Sequence, residues 1–152
     1  MLDVKIMKLV EEAVIPQYSL EGDAGLDLTA TFRSYDEFGN VVYHTGIAIE
    51  IPKGYVGLLF PRSSISKKQQ FLTNGVGVID SNYRGEIMLK FKPTVKAHNK
   101  VESLFNEVYE VGEKVGQLLI IPYPLINFIL SDKLSDTVRG VNGFGSTDKN
   151  NL

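Results

Sequence analysis

The feature that most limits how this 152-residue chain can fold is a hydrophobic period of two. Over residues 2–6, Leu2, Val4 and Ile6 alternate with Asp3 and Lys5. Over 46–51, Ile47, Ile49 and Ile51 alternate with Ala48 and Glu50. Over 86–92, Ile87, Leu89 and Phe91 alternate with Met88, Lys90 and Lys92. Successive side chains of a strand point to opposite faces, so such runs read as half-buried strands. Residues 55–60, 75–79, 107–111 and 117–121 are shorter strand candidates. Pro52-Lys53-Gly54, Phe60-Pro61 and Phe38-Gly39-Asn40 supply turns between them. Many short strands separated by turn residues predict an all-β sandwich, jelly roll or barrel. A helical turn is predicted only over 99–106, where Val101, Leu104 and Phe105 share a face. The length suits one domain, and no repeat or linker interrupts it. After Val138 the sequence RGVNGFGSTDKNNL has three glycines and almost no core-forming residues. The chain is therefore expected to divide into a β-barrel domain, 1–138, and a mobile C-terminal arm, 139–152.

Composition removes several classes of function. Cysteine is absent, which excludes disulfides, a thiol nucleophile and a zinc–thiolate site. Only His44 and His98 could offer imidazole, which argues against a polyhistidine metal centre. A formal net charge of −2 gives no global basic field, so nucleic acid is not an expected partner. The first twelve residues carry charges throughout and lack the apolar run of a signal peptide. The longest apolar stretch, 115–130, is interrupted by Gly116, Gln117, Pro122, Pro124 and Asn127 and is too short to span a bilayer. No membrane association is expected, and the expected location is cytoplasmic, in the host's cytoplasm if the chain is viral.

Arginine is scarce, with four residues against twelve lysines. Three of the four lie beside small, backbone-exposing residues: Arg62 before Ser63 and Ser64, Arg84 before Gly85, and Arg139 before Gly140. The planar guanidinium suits bidentate phosphate binding, so together they suggest a polyphosphate ligand, although any one alone reads as a structural ion pair. In NGVGVIDSNYRGE, residues 74–86, two glycines interrupt an apolar strand. Glycine weakens a strand unless something must approach its backbone, and an open strand edge can read the edge of a flat base. Asp80 follows three apolar residues, emerging from a strand into a turn as a candidate general base. Alone, it reads as an aspartate that caps its own turn. Tyr83 is placed to pack on a sugar, or else is an ordinary core or surface tyrosine. Gly143-Phe144-Gly145-Ser146-Thr147 sets one aromatic in a polar tail, as a flap over a flat ligand would; an incidental phenylalanine in a disordered tail is the equal alternative. Asp27, in AGLDLTA, is either a structural aspartate at a strand end or an anchor for hydrated Mg²⁺.

In order, these segments resemble the five motifs of the trimeric dUTPases: AGLDLTA (24–30), PRSS (61–64), GVGVIDSNYRGE (75–86), GEKVGQLLIIP (112–122) and RGVNGFGST (139–147). The matches span residues 24–147; the third and fifth are the most specific. The resemblance, to bacteriophage and bacterial members, implies a jelly-roll subunit, a homotrimer with active sites shared between subunits, and Mg²⁺-assisted hydrolysis of dUTP to dUMP and pyrophosphate. By the same resemblance, Asp80 is the base that activates water. Tyr83 packs on deoxyribose and excludes a 2′-hydroxyl. The backbone of Gly75, Val76, Gly77 and Val78, helped by Asn74, reads uracil. Asp27 holds the metal through water. Arg62, Ser63, Ser64 and Gln117 bind phosphates, and Arg139, Phe144, Gly145, Ser146 and Thr147 form the closing arm, with Phe144 over the base. Three features depart from the family pattern. Asn82 stands where a second aspartate is usual, Lys114 and Gly116 replace an arginine and an alanine, and 96–110 is longer than a plain hairpin. That last stretch is a candidate surface for a protein partner.

Two other functions are compatible with this fold. A dCTP deaminase would need its own proton-shuttling glutamate and a different base pocket; the Asp80–Tyr83 pair and the complete arm argue against it. A nucleotide-gated interaction protein, with 96–110 as its contact surface, is not exclusive of the hydrolase.

Overall fold

The computed structural model describes residues 1–94 and 108–142. Within them the chain forms ten strands and a 3₁₀ helix, with no α-helix. The strands are β1 (Lys5–Lys8), β2 (Leu26–Thr29), β3 (Phe32–Tyr35), β4 (Val41–His44), β5 (Ile47–Glu50) and β6 (Tyr55–Phe60). After the 3₁₀ helix at Ser63–Lys67 come β7 (Gln70–Leu72), β8 (Gly77–Ile79), β9 (Met88–Pro93) and β10 (Lys114–Pro122). The all-β expectation holds. The expected turn at 99–106 lies outside the described residues, as does the 96–110 stretch up to residue 107. No helix among the described residues is long and apolar enough to cross a membrane.

Two four-stranded sheets, in the orders β2-β10-β6-β8 and β3-β4-β9-β7, are accompanied by the pair β1-β5; every pairing is antiparallel. Alternation decides which side chains enter the core. From the first sheet Leu28, Leu118 and Leu59 turn inward, at 0–3% exposure; from the second Val41, Tyr43, Leu89 and Phe91 do the same. Burial of this kind stabilises by about 1.5–3 kcal/mol per large side chain. The rings of Tyr43, Phe91 and Tyr109 meet edge to face, with centroids 5.6–6.1 Å apart. Burial pushes the Tyr43 hydroxyl up to about 12.

Two strand expectations are corrected. The first strand begins at Lys5 rather than residue 2, because its partner β5 ends at Glu50, opposite Lys5. Residues 108–111 form no strand. There the Tyr109 carbonyl accepts from Arg33 Nη1 at 3.0 Å and Tyr43 Oη at 3.1 Å. These side-chain donors replace a ladder partner, while the Tyr109 ring fills the core. The chain leaves the first sheet at Pro122, and residues 121–142 are all exposed, including Leu125 (88%), Phe128 (92%) and Leu130 (99%).

Candidate active site

Register builds the first half of the site. Gln117 on β10 pairs with Asp27 on β2 and with Phe60 on β6, so these three side chains stand in a row on the outer face of the first sheet. β10 carries a bulge between Lys114 and Gly116. Lys114 and Gln117 are three residues apart and would face opposite ways in a regular strand. The bulge resets that parity: Lys114 pairs with Thr29 and Gln117 with Asp27, so both flank Asp27 on the outer face. The cavity there, about 630 Å³, is walled by Asp27, Arg62, Ser63, Gln117, Gly25 and Ser19, among others. Asp27 Oδ1 accepts from Arg62 Nε at 2.7 Å, and Oδ2 accepts from Lys114 Nζ at 2.7 Å and Ser19 Oγ at 2.8 Å. Burial alone would raise the Asp27 carboxyl. The hydrogen bonds from Lys114 and Ser19, with the charges of Arg62 and Lys114, outweigh it and hold the carboxyl below its ordinary value. The Gln117 amide donates to the Pro61 carbonyl at 3.1 Å and fills the space a side chain at Gly25 would need. The Ser64 hydroxyl bonds Tyr109 Oη at 2.9 Å, and Ser64 is not among the residues lining this cavity.

The second half is a cavity of about 350 Å³ between β8 and β9, lined by Asn74, Gly77, Tyr83, Leu59, Glu86 and Lys90, among others. Among the described residues β8 is an edge strand, with no partner strand on one side of its backbone. Gly77 faces Leu59 across the β6–β8 pair, and a Cβ on Gly77 would lie 3.0–3.3 Å from three Leu59 carbons. Gly75 turns the chain into β8 at φ +67°, a conformation glycine adopts without strain. Val78 points outward, 61% exposed. Asp80 is exposed, and its carboxylate makes no hydrogen bond among the described residues. The burial suggested by its three apolar predecessors is absent, because Val78 and Ile79 lie on a short edge strand. The Tyr83 ring folds over Gly85, where a Cβ would overlap it, and its hydroxyl donates to the Glu86 carbonyl at 3.0 Å.

The arginines separate. Arg62 enters the outer-face cavity. Arg84 Nη1 donates to the Ser81 and Tyr83 carbonyls at 2.8 and 2.7 Å and braces its own loop. Arg139 Nε donates to the Asn142 carbonyl at 3.0 Å, and Arg139 lines neither cavity. Phe144, Gly145, Ser146 and Thr147 lie outside the described residues. Asn82 is exposed in the loop after Asp80. Ser19 was not singled out by sequence; nothing in its surroundings announces a partner eight residues away. Among the described residues no three His, Cys, Asp or Glu side chains cluster as a metal cage. Two carboxylates, Asp27 and Asp23, line this open polar cavity, a donor set that fits Mg²⁺, which keeps several waters and completes its shell with substrate phosphates.

The sequence profile of the dUTPase family matches residues 11–148. The deoxyuridine 5′-triphosphate nucleotidohydrolase of Escherichia phage T5 is 35% identical over 93% of this chain and 96% of its own. That of Corynebacterium diphtheriae is 38% identical over 97% and 93%. A Staphylococcus bacteriophage 80alpha dUTPase solved with dUPNHPP superposes with a TM-score of 0.80 at 26% identity, covering 96% of this chain and 98% of that one. A dUTPase from a Staphylococcus aureus phage, whose structure shows a coordinated Mg(II) ion, gives a TM-score of 0.71 at 25% identity over 87% and 98%. With the profile covering most of its length and relatives above 30% identity along nearly all of it, the chain belongs to the dUTPase family.

Proposed function

We propose that this dUTP diphosphatase cleaves its substrate at sites divided among the subunits of a homotrimer. The observation that carries the reading is the separation of the two cavities. Leu59 and Phe60 are neighbours on β6 and point to opposite faces of the sheet; Leu59 walls one cavity and Phe60 the other. The two lining sets share no residue, whereas a nucleoside triphosphate needs base, sugar and phosphate contacts at once. A second copy, bringing its outer-face cavity to the first copy's β8–β9 cavity, supplies them together. Each chain also carries the apolar surface for such an assembly. The strip from Leu125 to Leu130 is exposed, and a groove of about 490 Å³ beside β1 is walled by Val4, Ile6, Ile15, Leu26, Leu118 and Ile120. Apolar strips of this size on a folded chain mark contact surfaces.

In the assembled site the open edge of β8 reads uracil through backbone N–H and C=O groups, with Asn74 beside it. Tyr83 packs on the deoxyribose and leaves no room for a 2′-hydroxyl. Arg62, Ser63 and Gln117 hold the phosphate chain, whose arrival draws Arg62 from Asp27, while Ser64, bonded to Tyr109, steadies the turn that carries Arg62 and Ser63. Asp80 takes a proton from water as the water oxygen bonds to the α-phosphorus. The bond from that phosphorus to the bridging oxygen breaks, giving dUMP and pyrophosphate. General-base assistance of this kind contributes about 10²–10⁴-fold. Asp27 would hold Mg²⁺ through water, and the ion, when bound, would supply neutralisation of the triphosphate charge. Arg139 and the 144–147 segment close over the ligand and exclude water.

Pyrophosphate release from each deoxynucleoside triphosphate and from UTP, with and without Mg²⁺, tests the chemistry, and light scattering tests the assembly. Release from dUTP far above all others, by a trimer, is the expected result. Equal rates on dUTP and UTP would overturn the role of Tyr83, and a monomer that turns over dUTP would overturn the shared site.

A further inference from the structure

Glu86 closes the 80–86 loop and lines the β8–β9 cavity, and its carboxylate is anchored on another part of the barrel. Its Oε2 lies 2.9 Å from His44 Nδ1, and its Oε1 accepts the Gly46 backbone N–H at 2.8 Å. His44 is itself fixed from its other side. Its Nε2 lies 3.1 Å from Ser34 Oγ on β3, and its ring tilts against Phe32 with centroids 5.4 Å apart. The Glu86 main-chain carbonyl holds the Tyr83 hydroxyl at 3.0 Å. Hydrogen bonds thus run from Ser34 through His44 to the Glu86 carboxylate, and the covalent frame of Glu86 links that carboxylate to the carbonyl that holds Tyr83. His44 and Glu86 are each only about a quarter exposed, so the pair is shielded on most sides. Nothing in the reaction itself requires an imidazole on β4.

We infer that His44 and Glu86 are positioning residues for Tyr83: they set the height of its ring over Gly85 and thereby the selection of deoxyribose over ribose. The inference rests on the reading of Tyr83 as the sugar-discriminating residue. Backbone pairing at Ile87, whose N–H donates to Ile47 at 2.9 Å, pins one side of the planar peptide unit to which the Glu86 carbonyl belongs. The two bonds to the Glu86 carboxylate anchor the Cα side of the same unit, so the carbonyl cannot pivot about the Ile87 hydrogen bond. A ring displaced by a fraction of an ångström admits a 2′-hydroxyl more easily while the remaining contacts to deoxynucleotide are kept, so the effect falls on selectivity rather than on overall rate.

The test is the ratio of kcat/KM for dUTP to that for UTP, measured for wild type, His44→Ala, Glu86→Ala, Glu86→Gln, Tyr83→Ala and the double variant Glu86→Ala/Tyr83→Ala. Glu86→Ala is expected to lower the ratio by about tenfold, the scale of one lost hydrogen bond, and His44→Ala by less, since the Gly46 bond survives. Glu86→Gln, which can still bond both partners, is expected to recover most of the wild-type ratio. In the double variant the Glu86 substitution should add nothing, because its effect travels through the tyrosine. Wild-type selectivity in both Glu86→Ala and His44→Ala would overturn the inference, as would an undiminished Glu86 effect when Tyr83 is already alanine. If Glu86→Ala does not fold, His44→Ala carries the same test. An unchanged ratio in Tyr83→Ala alone would instead overturn the sugar-discriminating reading.

Discussion

Asp27→Asn removes the charge at the centre of the outer-face site and keeps the side chain's shape. The Asp27 side chain is 12% exposed, Arg62 31% and Lys114 46%. A shielded hydrogen bond to a charged group is worth about 1.5–3 kcal/mol, and an exposed ion pair about 0.2–1 kcal/mol. The Arg62 contact lies between these limits, at about 1 kcal/mol, and the more exposed Lys114 contact near its lower end, at about 0.5 kcal/mol. The Ser19 hydrogen bond survives in asparagine. The loss is therefore about 1.5 kcal/mol, or about 3–6 °C in Tm for a domain of this size. Its pH dependence follows from the depressed Asp27 carboxyl, whose ordinary value is 3.8. A carboxyl with a lowered folded-state pKa stabilises fully above the unfolded value and loses that contribution as pH falls through the folded value. The gap between wild type and variant should be complete above about pH 5 and shrink steadily below about pH 4. Urea unfolding at one fixed protein concentration measures it, since the proposed subunit association would add a concentration term. A gap as large at about pH 3 as at about pH 7, or none at neutral pH, would refute the reasoning.

Asp80→Asn is expected to leave folding and nucleotide binding intact and to lower kcat by roughly 10²-fold or more; pyrophosphate release, with circular dichroism as the folding control, checks it. Removing residues 139–152 leaves every strand of the described residues in place and should preserve the proposed assembly while lowering kcat; a truncated enzyme with wild-type kcat would show that the arm takes no part. A Cβ at Gly116 would overlap Leu89 Cδ2 and lie 3.1 Å from the Phe60 carbonyl oxygen. Gly116→Ala is therefore expected to cost about 1–3 kcal/mol from overpacking, and Leu89→Val in the same chain should recover part of it in thermal melts.

Strands with clean alternation were legible: residues 55–60 are β6 residue for residue, and β5 and β9 lie within the predicted runs or one residue beyond. β4 was not, because Val41, Val42 and Tyr43 are all buried and an unbroken apolar triplet carries no period. At the site, the ordered segments singled out Asp27, Arg62, Ser63 and Gln117, which the fold collects at one cavity from three places in the sequence. The part Lys114 plays there was not legible. Its side chain reaches Asp27 only because a bulge resets the parity of β10, and a bulge leaves no mark in a run such as KVGQLLII. The same limit applied to Arg84, whose partners are carbonyls of its own loop, and to the Glu86–His44 contact across 42 positions.

The open edge of β8 has a consequence for the protein in solution. Unpaired N–H and C=O groups that can read a base are equally a template for another strand, the commonest starting point for sheet-to-sheet aggregation. Brevity is one guard here, since β8 is three residues long. Asp80 directly after it and the left-handed turn at Gly75 before it are others: a charge and a kink at the two ends leave an approaching strand no straight run to zip along. A nucleotide seated on the edge, as proposed above, would cap it altogether, so substrate analogue should suppress turbidity on gentle heating, acting as a chaperone for that strand.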